Sequence, residues 1–305
     1  MGKIAFVFAG QGAQYPGMGQ ELAQCSPAAA EIFAKLDALR PGTSAQCFGG
    51  TDEELKETKN TQPCMFAVEL AAAAALEEGG LRADMAAGFS LGEIGALTYT
   101  RAVDLETGFH LVCRRGDLMQ AAAEEQPTAM AAVLKLSNEE VEQICAQFAQ
   151  VYPVNYNCPG QVSVACAKEQ LAPFSAAVKA AGGRALPLKV RGGFHSPFMA
   201  TAAQGFAQVL EECRVGQPEM PLYSNRTGAV YEGDPKPLLS QQIASPVRWE
   251  TIVRNMIAAG ADTFVELGPG KTLCGLIEKI DKTVKTYALS TQADLETILK
   301  EVKGC

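Results

Sequence analysis

A serine held between two glycines is the first residue in this chain that could do chemistry. Residues 88–92 read Gly-Phe-Ser-Leu-Gly, with Ser90 at the centre, between a short apolar run and a helix-like stretch. This pattern is typical of a nucleophile elbow, in which a strand turns sharply into a helix and presents the serine. Free N–H groups at the helix N-terminus could then stabilise an oxyanion. The alternative is that small residues merely end a strand, and the pentapeptide alone does not decide.

A serine nucleophile needs a base, and the chain offers only His110 and His195. His110 stands among apolar neighbours in a predicted helix, which favours a role in packing. His195 stands in a Gly-Gly-Phe-His-Ser-Pro turn, where a loop can place an imidazole at a cleft, and we predict that it is the base. In an α/β-hydrolase the histidine comes last, near the C-terminus, whereas here about 110 residues follow His195 and none of them is a histidine. A plain esterase or thioesterase is therefore disfavoured.

Two neighbouring arginines, Arg114 and Arg115, lie on the helix that we predict after the elbow. A guanidinium beside a catalytic serine would bind a carboxylate bidentately and select a dicarboxylic half-thioester. Two solvated arginines on a helix face are the alternative, and without further context they are the better interpretation.

Two glycine-rich stretches follow predicted strands, but neither matches a nucleotide-binding motif. Residues 10–14 could bring backbone N–H groups close to a ligand, yet they are not G-x-G-x-x-G. Residues 268–272, Gly-Pro-Gly-Lys-Thr, lack the Walker pattern because residue 265 is valine. We interpret them as a structural strand-to-helix turn.

The composition argues against several classes of function. The net charge is -8, which disfavours a nucleic-acid binder, and no apolar run reaches the roughly 18 residues of a membrane span. The N-terminus does not match a signal peptide. The ten cysteines include no C-x-x-C pair, so we expect free thiols in a reducing cytoplasm and no metal site.

Strands that alternate with helices predict an α/β fold with an open parallel sheet. Buried strands are expected at residues 4–9 and 263–267, helices at 27–39, 62–78 and 105–123, and a polar connector at 49–60. Residues 127–191 follow the order βαββαβ, which is that of a ferredoxin-like unit. We therefore expect a core of residues 1–126 and 192–305 with residues 127–191 inserted.

The motifs together resemble those of one family, the malonyl-CoA:acyl carrier protein transacylases of fatty-acid synthesis and their polyketide acyltransferase relatives. They fall in family order and cover nearly the whole chain. They are FAGQGAQ (8–14) with GMG (17–19), GFSLGE (88–93), RG (115–116) with MQ (119–120), VNYN (154–157) with PGQ (159–161), GFHS (193–196), Gln242 with PV (246–247) and Trp249, and ELGPG (266–270).

The resemblance implies an α/β-hydrolase-like core with an inserted ferredoxin-like domain, and it assigns roles to individual residues. Ser90 would be the acylated nucleophile, His195 its base, and Arg115 rather than Arg114 the partner of the malonyl carboxylate. The remaining positions would be Gln11 and Leu91 in the oxyanion hole, Gln242 with a main-chain carbonyl that orients the histidine, and Phe194, Met119 and Asn155 at the substrate.

The family resemblance also implies the partners of the chain. Malonyl-CoA would be the substrate and acyl carrier protein the acceptor, with no tightly bound cofactor. Nothing in the sequence suggests an obligate dimer, so we expect a monomer. Because the carrier is acidic, local positive charge is required, and the candidates near the cleft are Lys179, Arg184, Lys189, Arg191 and Lys271.

One position departs from the pattern of the family. Many members have histidine before the serine, where this chain has Phe89, which would alter the pocket wall. Three alternatives stay open: a trans-acting polyketide acyltransferase, a serine thioesterase or esterase, and a non-catalytic module that binds the carrier.

Overall fold

The computed structural model describes residues 2–190 and 192–302, so the predicted carrier-binding residue Arg191 lies outside the described residues. The strands are β1 (Lys3–Phe8), β2 (Met85–Gly88), β3 (Thr128–Leu134), β4 (Val151–Cys158), β5 (Gln161–Ala167), β6 (Arg184–Pro187), β7 (Leu222–Tyr223), β8 (Ala261–Leu267) and β9 (Lys285–Leu289). The helices are α1 (Gln20–Cys25), α2 (Pro27–Leu39), α3 (Thr43–Gly49), α4 (Asp52–Lys56), α5 (Thr58–Glu78), α6 (Gly92–Tyr99), α7 (Leu105–Glu124), α8 (Asn138–Cys145), α9 (Leu171–Ala180), α10 (Ala200–Glu212), α11 (Lys236–Gln242), α12 (Trp249–Ala258), α13 (Thr272–Ile280) and α14 (Gln292–Glu301). Short 3-10 helices span Lys168–Gln170 and Pro197–Met199.

A parallel sheet of five strands has the order β7-β2-β1-β8-β9. Residues 5–8 of the central strand β1 are fully buried, which is why its sequence is apolar on both faces. Phe8 lies opposite Gly88 of β2 and opposite Leu267 of β8. The carboxyl ends of these three strands therefore meet at one edge, where ligands of open α/β sheets bind.

A separate antiparallel sheet of four strands has the order β4-β5-β3-β6, and its chain runs β3-α8-β4-β5-α9-β6. Its strand β4 forms backbone hydrogen bonds with Val247, which lies outside this sheet. The Val247 N–H donates to Val154 O at 2.8 Å, and the Tyr156 N–H donates to Val247 O at 2.9 Å. Strand β4 is thereby hydrogen-bonded to the segment that directly follows α11.

The predicted helix at 27–39 and the predicted strands are confirmed to within a few residues, but the polar connector expected at 49–60 is wrong. It contains α4, whose start has a capping box of Thr51 and Glu54. Helix α5 begins at Thr58 and has Pro63 inside it. Proline is typical of a first helical position, so the sequence suggested a later start.

The packing role expected for His110 is also wrong, since its side chain is exposed on α7. Among the residues that the structure describes, no helix is long and apolar enough to cross a membrane.

Candidate active site

The elbow at Ser90 is formed by an unusually close approach of β2 and α6. A Cβ on Gly88 would lie 1.9 Å from the carbonyl carbon of Gly92, and a Cβ on Gly92 would lie 2.4 Å from Phe8 O. Only glycine fits at both positions. Ser90 itself has a φ of 56°, a left-handed conformation that few non-glycine residues adopt. The serine side chain is therefore placed by a strained turn at the carboxyl edge of the sheet.

Ser90 and His195 are in direct contact. The distance between Ser90 Oγ and His195 Nε2 is 2.7 Å, and His195 Nδ1 lies 3.0 Å from the main-chain oxygen of Gln242. A carbonyl oxygen only accepts, so in the neutral imidazole the proton is on Nδ1 and Nε2 accepts the hydroxyl proton. The accepting carbonyl is at the C-terminal end of α11, where the last carbonyls have no intrahelical partner.

His195 is buried, with 3% of its surface exposed, and its φ is 60°. Burial lowers the pKa of His195 to about 4, and the positive charge of Arg115 acts in the same direction. The imidazole is therefore neutral at pH 7 and can accept a proton from Ser90.

Arg115 points from α7 into the same site and is only 1% exposed. Its guanidinium donates to Gln62 Oε1 at 3.0 Å, to Gln242 Oε1 at 2.8 Å and to Ser90 Oγ at 3.3 Å. Burial lowers the pKa of Arg115 to about 10, so it keeps its charge at neutral pH. Arg114, by contrast, is exposed and lies 3.5 Å from Asp117. The structure thus brings Arg115, and not its neighbour, to the serine.

The two residues predicted for an oxyanion hole lie in adjacent loops. Gln11 follows β1 and Leu91 follows β2, and the Phe89 N–H donates to Phe8 O at 2.9 Å, which ties the loops together. The N–H of Ser90 is already taken by Asn225 Oδ1 at 2.7 Å. Within the described part of the chain, the N–H groups of Gln11 and Leu91 have no assigned acceptor and are available to an oxyanion.

The other predicted substrate residues lie at different depths around this centre. Met119 is buried beside Arg115, and its sulfur accepts from Gln62 Nε2 at 3.4 Å. Phe194 precedes the histidine and is 8% exposed. Asn155 lies on β4, bridged to Val247, and its buried Oδ1 has no partner among the described residues. No hydrogen bond within the described chain joins Asn155 to Ser90, His195 or Arg115.

Phe89, the residue that replaces the usual histidine, packs edge-on against Trp249 with ring centroids 5.5 Å apart. Its ring also fills the space that a Cβ on Gly10 would need, at 2.8 Å. The Phe89 ring therefore packs directly against the loop that carries Gln11 and leaves no space for a side chain at residue 10.

Sequence reasoning missed four residues that position this site, namely Gln62, Glu93, Asn225 and Tyr231. Gln62 holds Arg115, and Asn225 holds the backbone of Ser90. Glu93 is the only one with a local signal, because it directly follows the elbow sequence. The others come from distant segments that only the fold brings together.

The described residues contain no group of three or more His, Cys, Asp or Glu side chains that could hold a metal ion.

Comparison with known proteins identifies the family. A family model described as an acyl transferase domain matches residues 5–299. The malonyl CoA-acyl carrier protein transacylase of Bacillus subtilis (strain 168) is 37% identical over 311 residues, covering 99% of this chain and 98% of that protein.

Solved structures agree with the sequence comparison. Malonyl CoA-acyl carrier protein transacylase from Clostridium perfringens has a TM-score of 0.96 at 33% identity, covering 99% of this chain and 98% of that one. A malonyl-transacylase in complex with its type II polyketide synthase acyl-carrier protein has a TM-score of 0.94 at 36% identity, covering 98% and 99%. The parallel sheet and the separate antiparallel sheet match the acyltransferase structures, and the chain belongs to the acyl transferase family.

Proposed function

We propose that this protein transfers the malonyl group of malonyl-CoA to the phosphopantetheine thiol of acyl carrier protein and so supplies fatty-acid elongation. The observation that carries the proposal is the pair of contacts on Ser90 Oγ, with His195 Nε2 at 2.7 Å and the Arg115 guanidinium at 3.3 Å. A general base and a fixed cation on one hydroxyl fit acyl transfer from a thioester whose acyl group ends in a carboxylate.

The first half-reaction would acylate the serine. His195 Nε2 takes the Ser90 proton as Oγ attacks the thioester carbonyl, and the N–H groups of Gln11 and Leu91 hold the oxyanion. The carbon–sulfur bond then breaks, the proton passes from His195 to the sulfur, and CoA leaves with malonyl-Ser90 behind. Arg115 would hold the malonyl carboxylate throughout.

The second half-reaction would reverse these steps with a different thiol. His195 takes the proton of the carrier's phosphopantetheine thiol, the sulfur attacks the ester, and the carbon–oxygen bond to Ser90 breaks. The proton returns to Ser90 Oγ, and no cofactor is needed. The main-chain carbonyl of Gln242 would stabilise the transient imidazolium in place of a carboxylate.

The architecture would be an α/β-hydrolase-like core of residues 1–126 and 192–305 with a ferredoxin-like insertion at 127–191. The strand order β4-β5-β3-β6 and the element order of that segment support the insertion. A cytoplasmic location is supported by the free state of every cysteine within the described residues. A monomer is supported by the exposed large apolar side chains, which come from separate segments, namely Tyr15, Leu39, Leu188 and Val230.

Intact-mass measurement after brief mixing with malonyl-CoA tests the function, with Ser90→Ala as the control. We expect one malonyl adduct that the control lacks and that carrier protein discharges. Steady release of CoA without an adduct would indicate a hydrolase instead, and a protein that binds carrier but takes no adduct would be a non-catalytic module.

A trans-acting polyketide acyltransferase is the second candidate, because one structural relative was solved with a polyketide carrier. Discharge of malonyl-Ser90 by a fatty-acid carrier and by a polyketide carrier, measured side by side, decides between the two pathways.

A further inference from the structure

Glu93 is a buried carboxylate that the proposed transfer does not use. It is the second residue of α6 and is 0% exposed. Its Oε1 accepts from the Asn225 N–H at 2.8 Å and from the Tyr231 hydroxyl at 2.7 Å, and its Oε2 accepts from Gln242 Nε2 at 2.7 Å. A buried charge with three donors is held in one orientation.

The contacts of Gln242 fix the direction of its side-chain amide. Nε2 faces two acceptors, Glu93 Oε2 at 2.7 Å and the main-chain oxygen of Ser90 at 2.7 Å, whereas Oε1 faces the Arg115 guanidinium at 2.8 Å. A flipped amide would put its oxygen against two acceptors and its NH2 against a cation. The guanidinium therefore donates to the amide, and the amide donates to Glu93.

Gln242 thus bridges the buried Arg115 guanidinium and the buried Glu93 carboxyl group. In a direct ion pair the Glu93 carboxylate would occupy N–H donors of Arg115. Here the Gln242 amide lies between the two groups, so those donors are not used by Glu93. A guanidinium has five N–H donors, and Gln62, Gln242 and Ser90 take three of those of Arg115. Its Nε has no acceptor among the described residues. Donors are left for a substrate carboxylate although a counter-charge lies nearby.

We propose that Glu93 is a positioning residue for acyl-group selection, which, through Gln242, holds the Arg115 guanidinium in place and balances its charge without occupying the donors meant for the substrate carboxylate. This inference rests on the proposed function and names the part of the site that makes it selective for a dicarboxylic acyl group. The main-chain oxygen of Gln242 also accepts from His195 Nδ1. Its main chain therefore contacts the base, and its side chain contacts Arg115.

The ionisable groups that face Glu93 come from several elements. Arg115 of α7 and Tyr231 of the segment after β7 act on it directly, whereas His195 of the turn at 192–196 contacts the main chain of Gln242 and Glu69 of α5 reaches α6 at Gly95. Burial raises the pKa of Glu93 to about 7, with Asn225, Tyr231, Gln242 and Arg115 opposing. The pKa values of His195, about 4, and Arg115, about 10, lie away from that range.

The test compares Glu93→Gln with the matched variant Glu69→Gln. Both are isosteric changes at fully buried carboxyl groups, one within α6 and one packed against it, but Glu69 has no hydrogen-bond partner among the described residues. In the Glu93 variant, the new amide NH2 must face either Gln242 Nε2 or the Asn225 N–H, so two donors meet in both orientations and the negative charge that Gln242 links to Arg115 is lost. We expect kcat/KM for malonyl-CoA to fall by about 10- to 100-fold, the size of a charged hydrogen bond, and that for acetyl-CoA by less than about threefold.

The pH dependence adds a readout that a purely structural role would not move. In the wild type, malonyl selectivity over acetyl should rise with pH through about 7 as Glu93 ionises, and this rise should be absent in Glu93→Gln and kept in Glu69→Gln. Tyr231→Phe, which removes one of the donors to Glu93, should give a smaller loss of the same selectivity and serves if Glu93→Gln does not fold.

Equal losses for malonyl and acetyl in Glu93→Gln, or a selectivity that matches the wild type, would overturn the role of Glu93 while the transferase function stands. If the wild type forms no malonyl adduct, the proposed function is wrong. The role of Glu93 is then tested by crystal structures of the wild type and of Glu93→Gln. Arg115 and the Gln242 amide unmoved in the Glu93→Gln structure would overturn it, and their displacement would support it.

Discussion

Two neighbours act on the same oxygen of Ser90, one as a proton acceptor and one as a cation. His195 lies 2.7 Å and the Arg115 guanidinium 3.3 Å from Oγ. In the proposed reaction the histidine takes part in the transfer of any acyl group, whereas the arginine binds only a carboxylate on that group. Changes at the two residues should therefore have separable effects.

Acylation of Ser90 by a neutral acyl donor should persist to unusually low pH. Because burial and Arg115 lower the pKa of His195 to about 4, the base stays unprotonated until the pH falls to that value. The rate of adduct formation from acetyl-CoA, measured by mass between pH 3.5 and 8 with circular dichroism as a check on folding, should halve near pH 4. A midpoint near the ordinary histidine value of about 6.5 would contradict this. His110→Asn, at an exposed site, should leave the profile unchanged.

Removing the charge at residue 115 should change substrate selection more than chemistry. Arg115→Ala should reduce kcat/KM for malonyl-CoA by about 10- to 100-fold through the loss of a charged hydrogen bond, and that for acetyl-CoA much less. Arg114→Ala is the matched control, because that side chain is exposed on the same helix. Comparable losses for both substrates would remove the assigned role of Arg115.

Chemistry and turn context in the sequence led to Ser90 and His195, and the family resemblance led to Arg115 and Gln242. Glu93 could be found only as part of the motif at residues 88–93, without a role, and Asn225 could not be found at all. Their roles depend on contacts between residues more than 130 positions apart in the chain, which no local pattern predicts.

At the level of the elements, the junction of β2 and α6 is packed too closely to accept a side chain at its glycines. Gly88→Ala would place a methyl group 1.9 Å from the Gly92 carbonyl carbon, which is backbone that cannot yield. We expect a loss of at least about 3 kcal/mol in the free energy of unfolding, or failure to fold.

A glycine in an open position gives the matched comparison. A Cβ on Gly275, within α13, meets no atom within 4 Å, so Gly275→Ala should gain up to about 1 kcal/mol from helix propensity. Urea unfolding of both variants measures the difference, and a Gly88→Ala protein as stable as the wild type would refute the close packing described for the elbow.

Elements with strong local signals were predictable, and those with mixed signals were not. Helix α2 was placed correctly from the spacing of its apolar residues, and in the structure Ser26 caps it and Pro27 starts it. Helix α5 was placed too late because tertiary packing carries it through Pro63, where local propensity argues for a start.

For the whole molecule, the proposed reaction requires a carrier to deliver its thiol at the carboxyl edge of the parallel sheet. Lys271 follows β8 at that edge and is exposed, whereas Lys285 begins β9 at the opposite edge and is also exposed. Lys179, Arg184 and Lys189 are exposed on the antiparallel-sheet segment. The overall charge of the protein gives no hint of such a local arrangement.

A charge reversal at the two edges tests where the carrier docks. Lys271→Glu should raise the carrier concentration needed for half-maximal discharge of malonyl-Ser90 several-fold at low salt, while acylation by malonyl-CoA stays unchanged. Lys285→Glu makes the same charge change away from the site and should have little effect. Equal effects of the two variants would place the docking surface elsewhere.

The position of β1 between β2 and β8 has a consequence for synthesis on the ribosome. β1 and β2 can pair once residue 88 has emerged, but Phe8 meets its second partner only when Leu267 is made. At elongation rates of about 5 to 20 residues per second, that delay is roughly 10 to 35 s. During it the nascent chain exposes the unpaired edge of a strand that is apolar from Ile4 to Phe8, a template for aggregation, and the loop that carries Gln11 lacks its neighbour. The nascent protein should therefore depend on chaperones, and the oxyanion site should be completed only as the last strands arrive.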